Sequence, residues 1–261
     1  MFASLLQHRS LVVELAKRDF SGRYRGSFGG IFWSFVQPLF LLAVYTVAFG
    51  VILKARWGFS GDTAEYALML FAGLIVFNAF SECLNRCTTL ISSNPNFVKK
   101  IVFPLELLPV AAIATVMIHA VIGIAVWVAG YAILFGVPQP TVALFPLILC
   151  CYIPVLLGTG WLLSAIGVLV RDVSQVTPLI GHSLLFLTPI FYSIEAAPPI
   201  LQSLLLLNPL TYIVEQFRLV LFYGRVPAFR GLATYFVLAC SFAWLSLVLF
   251  RRLRPTFADA V

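Results

Sequence analysis

Charged residues are scarce in this sequence. Aspartate, glutamate, lysine and arginine together make up 10% of the 261 residues, against about 25% in soluble domains. Charged residues are absent from five stretches, at 26–53, 66–81, 107–170, 173–194 and 231–250. A helix needs about 20 consecutive apolar residues to cross a bilayer. Stretches of this length and composition exclude a soluble globular domain and favour a membrane protein.

The number of spans follows from where these stretches break. Residues 107–170 are too long for one span and are interrupted by GVPQPT at 136–141, whereas the apolar pattern that starts at residue 66 continues to about residue 90. We therefore predict an all-α membrane protein with a single transmembrane domain over 1–261. Its six predicted transmembrane helices cover 30–53, 66–90, 105–135, 142–170, 176–193 and 231–250.

The sequence also lacks the patterns that carry catalysis or cofactor binding. It has no glycine-rich phosphate loop and no pair of carboxylates suited to acid–base chemistry, and His8, His119 and His182 are far apart. The five cysteines are an odd number and lie in or beside apolar stretches, which argues against a disulfide framework. We expect no catalytic, cofactor-binding or metal site on this chain, and an energy source on another chain.

The net charge of +7 is explained by membrane topology rather than by binding to nucleic acid. Lysine and arginine accumulate on the cytoplasmic side of membrane proteins. If the N-terminus is inside, twelve of the 17 Lys and Arg residues fall in inside segments, so both termini are predicted to be cytoplasmic. Glu82 and Arg86, one helical turn apart near the inner end of the second span, are predicted to pair. His119 in mid-span is predicted to line a cavity or to bond to another helix.

Two segments are apolar without fitting the pattern of a span. Residues 1–29 interleave apolar and charged side chains, which predicts an amphipathic helix lying on the cytoplasmic face of the membrane. Residues 194–230 contain two apolar pieces broken by prolines, each too short to span. We predict two short re-entrant helices on the periplasmic side, and the alternative is an extracellular loop with an interfacial helix.

Four residues of the periplasmic segment are predicted to form an outer gate. Asn208 and Pro209 would mark the turn between the two short helices, because proline cannot continue a helix and the residue before it avoids helical geometry. Glu215 and Arg218 are three residues apart on the second short helix and would pair on one face, so a charge-swapped pair is expected to retain function in part. The alternative is a solvated surface pair.

The scarcity of ionisable residues within the spans argues against transport coupled to protons or sodium. A conduit would then be lined by apolar and aromatic side chains, and aromatic faces can stack on sugar rings. Our candidates for the lining are Phe32, Trp33, Phe71, Phe186, Phe191 and Tyr192. The alternative is that these aromatic residues pack inside the protein or anchor it at the membrane surface.

Four runs of sequence resemble a known family. LAKRDFSGRYRGSFGGIFWSFVQPL resembles the N-terminal signature of ABC-2 type transporter permeases that export polysaccharides, and SNPNFVKKIVFPLELLPV resembles their cytoplasmic loop after the second span. VRDVSQVTPLIGHSLLFLTPIFYS and LNPLTYIVEQFRLVLFYG resemble their fifth-span and re-entrant signatures. The form RDF-x-x-RYRGS looks closest to permeases that export lipid-linked O-antigen, with capsule and teichoic acid exporters as near relatives.

The resemblance implies a homodimer in the bacterial inner membrane, bound to two ABC ATPase subunits that use ATP and Mg. It implies a lipid-linked polysaccharide as substrate. The ATPase would be contacted by a coupling loop at 92–100 and by the second inside loop, through Asn94, Pro95, Asn96, Phe97, Lys99, Lys100, Arg171 and Asp172. The interfacial helix and its exit would contribute Arg18, Asp19, Arg23, Tyr24 and Arg25. An ABC-2 exporter of a drug or lipid and a non-transporting scaffold for glycan assembly are the alternative functions.

Overall fold

A computed structural model describes residues 8–24, 28–52, 63–98, 103–170 and 172–257. These ranges form helices joined by turns and contain no β-strand, which confirms the predicted all-α class. The helices are α1 (Arg9–Tyr24), α2 (Trp33–Tyr45), α3 (Thr63–Cys87), α4 (Pro95–Val98), α5 (Leu107–Phe135), α6 (Phe145–Leu169), α7 (Val173–Phe186), α8 (Pro199–Leu207), α9 (Pro209–Leu221) and α10 (Phe229–Leu253). A π-helical stretch, Thr46–Ile52, continues α2.

Four helices in the described ranges are long and apolar enough to cross a membrane. They are Thr63–Cys87, Leu107–Phe135, Pro140–Leu169 and Phe229–Thr256. The bent pair α8 and α9, whose axes differ by 91°, would make a fifth crossing if it is counted as one span. The chain is therefore a multi-pass helical membrane protein.

The predicted first and fifth spans are shorter helices than the sequence indicates. The 14 residues of α7 extend about 21 Å at 1.5 Å per residue, whereas the hydrocarbon core of a bilayer is about 30 Å thick. The 13 residues of α2 approach that thickness only together with the π-helical stretch. The six-span arrangement therefore stays a prediction for these two helices.

Helix α3 lies at the centre of the fold. In the most apolar 18-residue stretch of α3, 78% is buried, whereas the corresponding share in α10 is 28%. Helix α3 is therefore surrounded by protein, and α10 lies at the periphery. Large side chains of the neighbouring helices donate hydrogen bonds to the backbone of α3. Trp127 Nε1 donates to the Leu68 carbonyl at 2.9 Å, and the Tyr152 hydroxyl donates to the Val76 carbonyl at 3.1 Å. Aromatic side chains of this kind can be buried because their polar atoms have a partner.

Helices α6 and α10 pack closely at a glycine. A Cβ atom added to Gly158 would lie 2.5 Å from Cδ1 of Phe242 and 3.1 Å from the Cα atom of Ala243. Small residues allow helix backbones to approach in this way within membranes. The opposite face of α10 carries exposed apolar side chains such as Val237 and Trp244, as expected for a surface that faces lipid.

Replacing Gly158 by alanine is expected to lower the free energy of unfolding by about 1–3 kcal/mol, because overpacking forces the neighbouring ring and backbone to shift. Thermal unfolding in detergent checks this. The matched control is Gly130→Ala on α5, where an added Cβ meets only Cδ2 of Leu68 at 3.7 Å, an ordinary contact. Equal melting temperatures for Gly158→Ala and the wild type would contradict the close approach of α6 and α10.

Candidate functional site

Three helices each bring two polar side chains, spaced four residues apart, to one place in the fold. Residues at this spacing lie on the same face of a helix. The pairs are Asp19 and Arg23 on α1, Glu82 and Arg86 on α3, and Thr115 and His119 on α5. We refer to these six residues, together with Tyr24, as the charged cluster.

Glu82 is the acceptor at the centre of the charged cluster. Its carboxylate accepts from Arg86 Nη1 at 3.0 Å and from His119 Nδ1 at 2.8 Å, and it also pairs with Arg23. The predicted pairing of Glu82 with Arg86 is therefore present. The Glu82 side chain is only 15% exposed, and a charge removed from water in this way needs opposite charges and hydrogen bonds around it.

Asp19 attaches α1 to two other helices. Its carboxylate pairs with Arg86 of α3 and accepts from the Thr115 hydroxyl of α5 at 2.8 Å. The apolar residues Leu15 and Ala16 of α1 are buried beside it. Helix α1 is thus held to α3 and α5 by polar bonds as well as by packing, and two carboxylates in the cluster balance two guanidinium groups.

His119 uses both of its ring nitrogens. Nδ1 faces Glu82, and Nε2 lies 3.1 Å from the Tyr24 hydroxyl. Burial raises the pKa of Tyr24 above its ordinary value, with Arg23 opposing, so the phenol keeps its proton at neutral pH. Neutral His119 can then donate from Nδ1 to the carboxylate and accept from Tyr24 at Nε2.

A cavity of about 740 Å³ lies next to the charged cluster, between α1, α2, α3 and α5. Its lining includes the charged cluster residues Glu82 and His119, the amides of Gln37 and Asn78, and the apolar Phe71. Among the described residues no group of three or more His, Cys, Asp or Glu side chains is placed to hold a metal ion.

Three of the six aromatic residues predicted to line a conduit lie together. The ring centroids of Phe186 and Phe191 are 5.8 Å apart, and the Tyr192 hydroxyl donates to the Phe186 carbonyl at 2.7 Å. Phe71 lines the cavity and is buried in the same core as Phe191, whereas Phe32 and Trp33 are exposed. The lining of a conduit by these residues stays a prediction.

Arg218 on α9 is completely buried and has four acceptors. Its guanidinium group donates to the carbonyls of Met69 at 3.3 Å, Pro189 at 2.5 Å and Ile190 at 2.8 Å, and to Glu215 Oε1 at 2.9 Å. The pairing with Glu215 is present, but only Glu215 is partly exposed, at 34%. Because three of its acceptors are backbone carbonyls, Arg218 is a structural bond donor as well as an ion-pair partner.

Two of the carbonyls bound by Arg218, those of Pro189 and Ile190, belong to a bend that follows α7. This helix ends at Phe186, and the chain from Leu187 onward bends with Thr188 and Ile190 fully buried. Asn208 Nδ2 donates to the Leu187 carbonyl at 3.0 Å, while Asn208 Oδ1 accepts from the first amide of α9. Non-helical backbone inside a membrane is tolerated where protein satisfies it, and here Arg218 and Asn208 do so.

The family model of ABC-2 type transporters matches residues 10–222 of the chain. The protein belongs to the ABC-2 type transporter family. The chain is 25% identical to the O-antigen export system permease protein RfbA of Myxococcus xanthus, over 98% of this chain and 97% of the relative. It is 22% identical to the protein of the same name from Klebsiella pneumoniae, over 95% and 94% of the two chains.

The segment of this ABC-2 transporter predicted to couple to an ATPase contains the one-turn helix α4. Phe97 of α4 is partly buried against its own chain, with its ring centroid 4.5 Å from that of Phe103 and the Arg18 guanidinium 5.2 Å above it. Asn94 donates to the Leu90 carbonyl at 2.9 Å, and Asn96 is exposed. Phe97 therefore connects α4 to α1 rather than projecting freely.

Some predicted residues fall at the ends of described segments or beyond them. Asp172 is exposed at the start of α7. Arg25, Lys99, Lys100 and Arg171 lie outside the described residues.

Sequence reasoning missed most of the charged cluster of this ABC-2 transporter. It found the pairing of Glu82 with Arg86 because both lie on one helix, but not the bonds from Asp19 and Thr115. The signal that was available is the same four-residue spacing, which also separates Asp19 from Arg23 and Thr115 from His119. Residues spaced in this way on three apolar or interfacial helices are candidates for a shared polar centre.

Proposed function

We propose that this chain is the permease subunit of an ATP-driven exporter that moves lipid-linked polysaccharide of the O-antigen type across the bacterial inner membrane. The observation that carries the proposal is the near full-length match to relatives named O-antigen export permeases in two genera. The ABC-2 family provides membrane transport subunits, and this chain performs no bond chemistry in the proposal. ATP and Mg would be bound by a separate ABC ATPase, present in two copies.

The proposed architecture has six spans with both termini in the cytoplasm. Helices α2 and α7 would be the first and fifth spans, and α1 would lie along the inner membrane surface. The bias of Lys and Arg toward the inside segments supports this orientation. On the outer side, α8 and α9 would be re-entrant, and Asn208, Pro209, Glu215 and Arg218 would hold the outer gate at their junction with the bend after α7.

A homodimer is supported by the exposed face of α7. Gln175, His182 and Ser183 are all exposed on this short apolar helix, together with Leu179 and Ile180. Polar side chains that face hydrocarbon are unfavourable, even though His182 and Ser183 bond to the Pro178 and Leu179 carbonyls of their own helix. A second copy of the chain, or a polar conduit formed between two copies, would remove these side chains from hydrocarbon.

The ATPase is proposed to contact the surface formed by α4 and the start of α7. Ser92, Ser93 and Asn96 are exposed there. Lys99 and Lys100 follow them in sequence, and Arg171 precedes Asp172 at the start of α7. Because Phe97 packs against Arg18, a movement of α4 on the ATPase would be passed to α1. The cluster of Asp19, Arg23 and Glu82 would carry it on to α3.

The orientation gives a direct prediction. Ser93 and Gln139 are both exposed and lie on opposite sides of the membrane in the proposed topology. In a cysteine-free chain, a cysteine at Gln139 should react with an impermeant thiol reagent in intact cells, and a cysteine at Ser93 should react only after the cells are opened. The opposite pattern would reverse the topology.

Export itself is tested by deleting the gene in its native host. The deletion is expected to remove polysaccharide from the cell surface and to cause lipid-linked polysaccharide to accumulate inside, and re-expression of the chain with its ATPase should restore both. Loss of polysaccharide synthesis without accumulation would indicate an assembly scaffold. An unchanged cell surface would indicate a drug or lipid exporter, and either result would overturn the proposal.

A further inference from the structure

Two amide side chains that line the cavity have no hydrogen-bond partner among the described residues. Asn78 lies in the middle of α3 and Gln37 on α2, and neither bonds to any other residue in the part of the chain that the structure describes. Their neighbour Ser34 is buried and bonds to Tyr24. Asn78 is half-buried within a helix that is long and apolar enough to cross a membrane, and Gln37 is exposed on α2. A polar side chain within a span is unfavourable unless it has a partner, so the Asn78 amide indicates a polar occupant of the cavity, to which the Gln37 amide is also accessible.

The carboxylates that line the cavity are already paired. Glu82 is bonded by Arg23, Arg86 and His119, and Asp19 is bonded by Arg86. Arg18 also lines the cavity, and its guanidinium group lies over the Phe97 ring. A phosphate bound beside Glu82 would have to displace the carboxylate from its guanidinium partners. The amides of Asn78 and Gln37 both donate and accept hydrogen bonds and therefore suit hydroxyl groups.

The remaining wall is apolar. Leu41 of α2, Phe71 and Ile75 of α3, and Val116 and Ala120 of α5 line it. The volume of about 740 Å³ falls within the range of about 300–1,000 Å³ that is usual for small-molecule sites. A ligand with a hydroxyl-rich head and an adjoining apolar surface matches this arrangement.

We propose that the cavity binds the sugar head of a glycolipid, with the amides of Asn78 and Gln37 hydrogen-bonding to its hydroxyl groups. The apolar wall packs against the C–H face of the sugar or the first part of the alkyl chain. The inference of a binding site depends only on the cavity and its amides. The identification of its natural occupant with the transported lipid-linked glycan rests on the proposed function.

The test uses the full chain in lipid nanodiscs of phosphatidylethanolamine and phosphatidylglycerol. Ser81 also lines the cavity, so Ser81→Cys in a cysteine-free chain provides a reporter whose reaction with a maleimide is timed. Dodecyl maltoside below its micellar concentration is expected to slow this reaction at least about fivefold. Dodecyl phosphate, which has the same chain and an anionic head, should leave the rate unchanged.

Variants of the amides separate binding from a general effect of the detergent. Asn78→Leu and Gln37→Met should each remove most of the protection by dodecyl maltoside without changing the rate in its absence. Gln202→Met is the matched control. Gln202 lies on α8, away from the cavity, and its amide donates to the Ala197 carbonyl at 2.8 Å. In this variant the protection should remain.

Binding of radiolabelled dodecyl maltoside to the wild-type chain gives a second measurement that does not depend on cysteine replacement. Displaceable binding that Asn78→Leu weakens at least about fivefold is expected. Protection by dodecyl phosphate instead of the maltoside would show an anionic site, and protection by neither would show a cavity filled with water. Either result would overturn this proposal and leave the export function to its own test in cells.

Discussion

Replacing Arg218 by methionine is expected to lower the free energy of unfolding by about 3–5 kcal/mol, the usual effect of removing one partner of a buried ion pair. Methionine fills a similar volume but donates no hydrogen bond. The carbonyls of Pro189 and Ile190 would lose the donor that Arg218 provides, and each buried unpaired group costs about 1–3 kcal/mol, which is consistent with the expected total. Size-exclusion chromatography in detergent should show little monodisperse protein. Thermal unfolding in detergent should show a lower melting temperature than that of the wild type.

The control for this prediction is Arg225→Met, since Arg225 is exposed in the loop after α9 and should tolerate the change. Arg218→Lys should be intermediate, because lysine keeps the charge but lacks the planar set of donors. Glu215→Gln should be milder than Arg218→Met, since its amide oxygen can still accept. A wild-type melting temperature for Arg218→Met would show that the four contacts do not hold the fold together.

The contacts of Arg218 also change what a charge-swapped pair should do. With glutamate at position 218 and arginine at 215, the ion pair is retained, but a carboxylate then faces the carbonyls of Pro189 and Ile190. Carboxylate and carbonyl oxygens are both hydrogen-bond acceptors, so no hydrogen bond could form between them. We therefore expect the double variant to be no more stable than Arg218→Met, in contrast to the partial recovery that the sequence suggests.

Replacing Glu82 by glutamine is expected to loosen α1. The substitution keeps the shape of the side chain but removes the charge that holds Arg23, Arg86 and His119. A loss of about 2 kcal/mol is expected for a partly exposed network of this kind. This corresponds to about 30-fold faster opening. Hydrogen exchange of the backbone amides in Arg9–Tyr24 should accelerate by this factor, while the amides of α6 should not change.

Glu14→Gln provides the matched control, because Glu14 is an exposed carboxylate on α1 itself and its removal should leave exchange in α1 unchanged. His119→Gln should have a smaller effect than Glu82→Gln, since the two guanidinium groups then keep their carboxylate. If α1 exchanged at the wild-type rate in Glu82→Gln, the charged cluster would not be what attaches this helix.

Features that depend on neighbouring residues could be predicted from the sequence. The break at Asn208 was predictable because a proline follows it, and the structure ends α8 at Leu207 and starts α9 at Pro209. The bond between Glu82 and Arg86 was predictable from their spacing. Four of the spans are helices of the expected type because their apolar stretches have the length that a bilayer requires.

Features that depend on how helices meet could not be predicted. The sequence places Arg218 three residues from Glu215, but it does not indicate that α7 stops at Phe186 and leaves carbonyls beside α9. Phe97 sits in a polar segment, which favours an exposed aromatic anchor, yet Phe103 and Arg18 cover it. Composition likewise identifies aromatic residues suited to a conduit, but it does not indicate that Phe71 and Phe191 are buried whereas Phe32 and Trp33 are exposed.

The bonds of Arg218 have a consequence for the order in which the protein can be assembled during synthesis. The bend at Pro189 and Ile190 is translated before Arg218, and Met69 is made far earlier still. Until α9 has been inserted, the carbonyls of Pro189 and Ile190 lack the donor that Arg218 provides, so the packing of α3 against α7 stays incomplete. Completion of the bundle is thus delayed until the outer segment has been inserted, and a chain truncated after α8 should be recognised as unfinished and degraded.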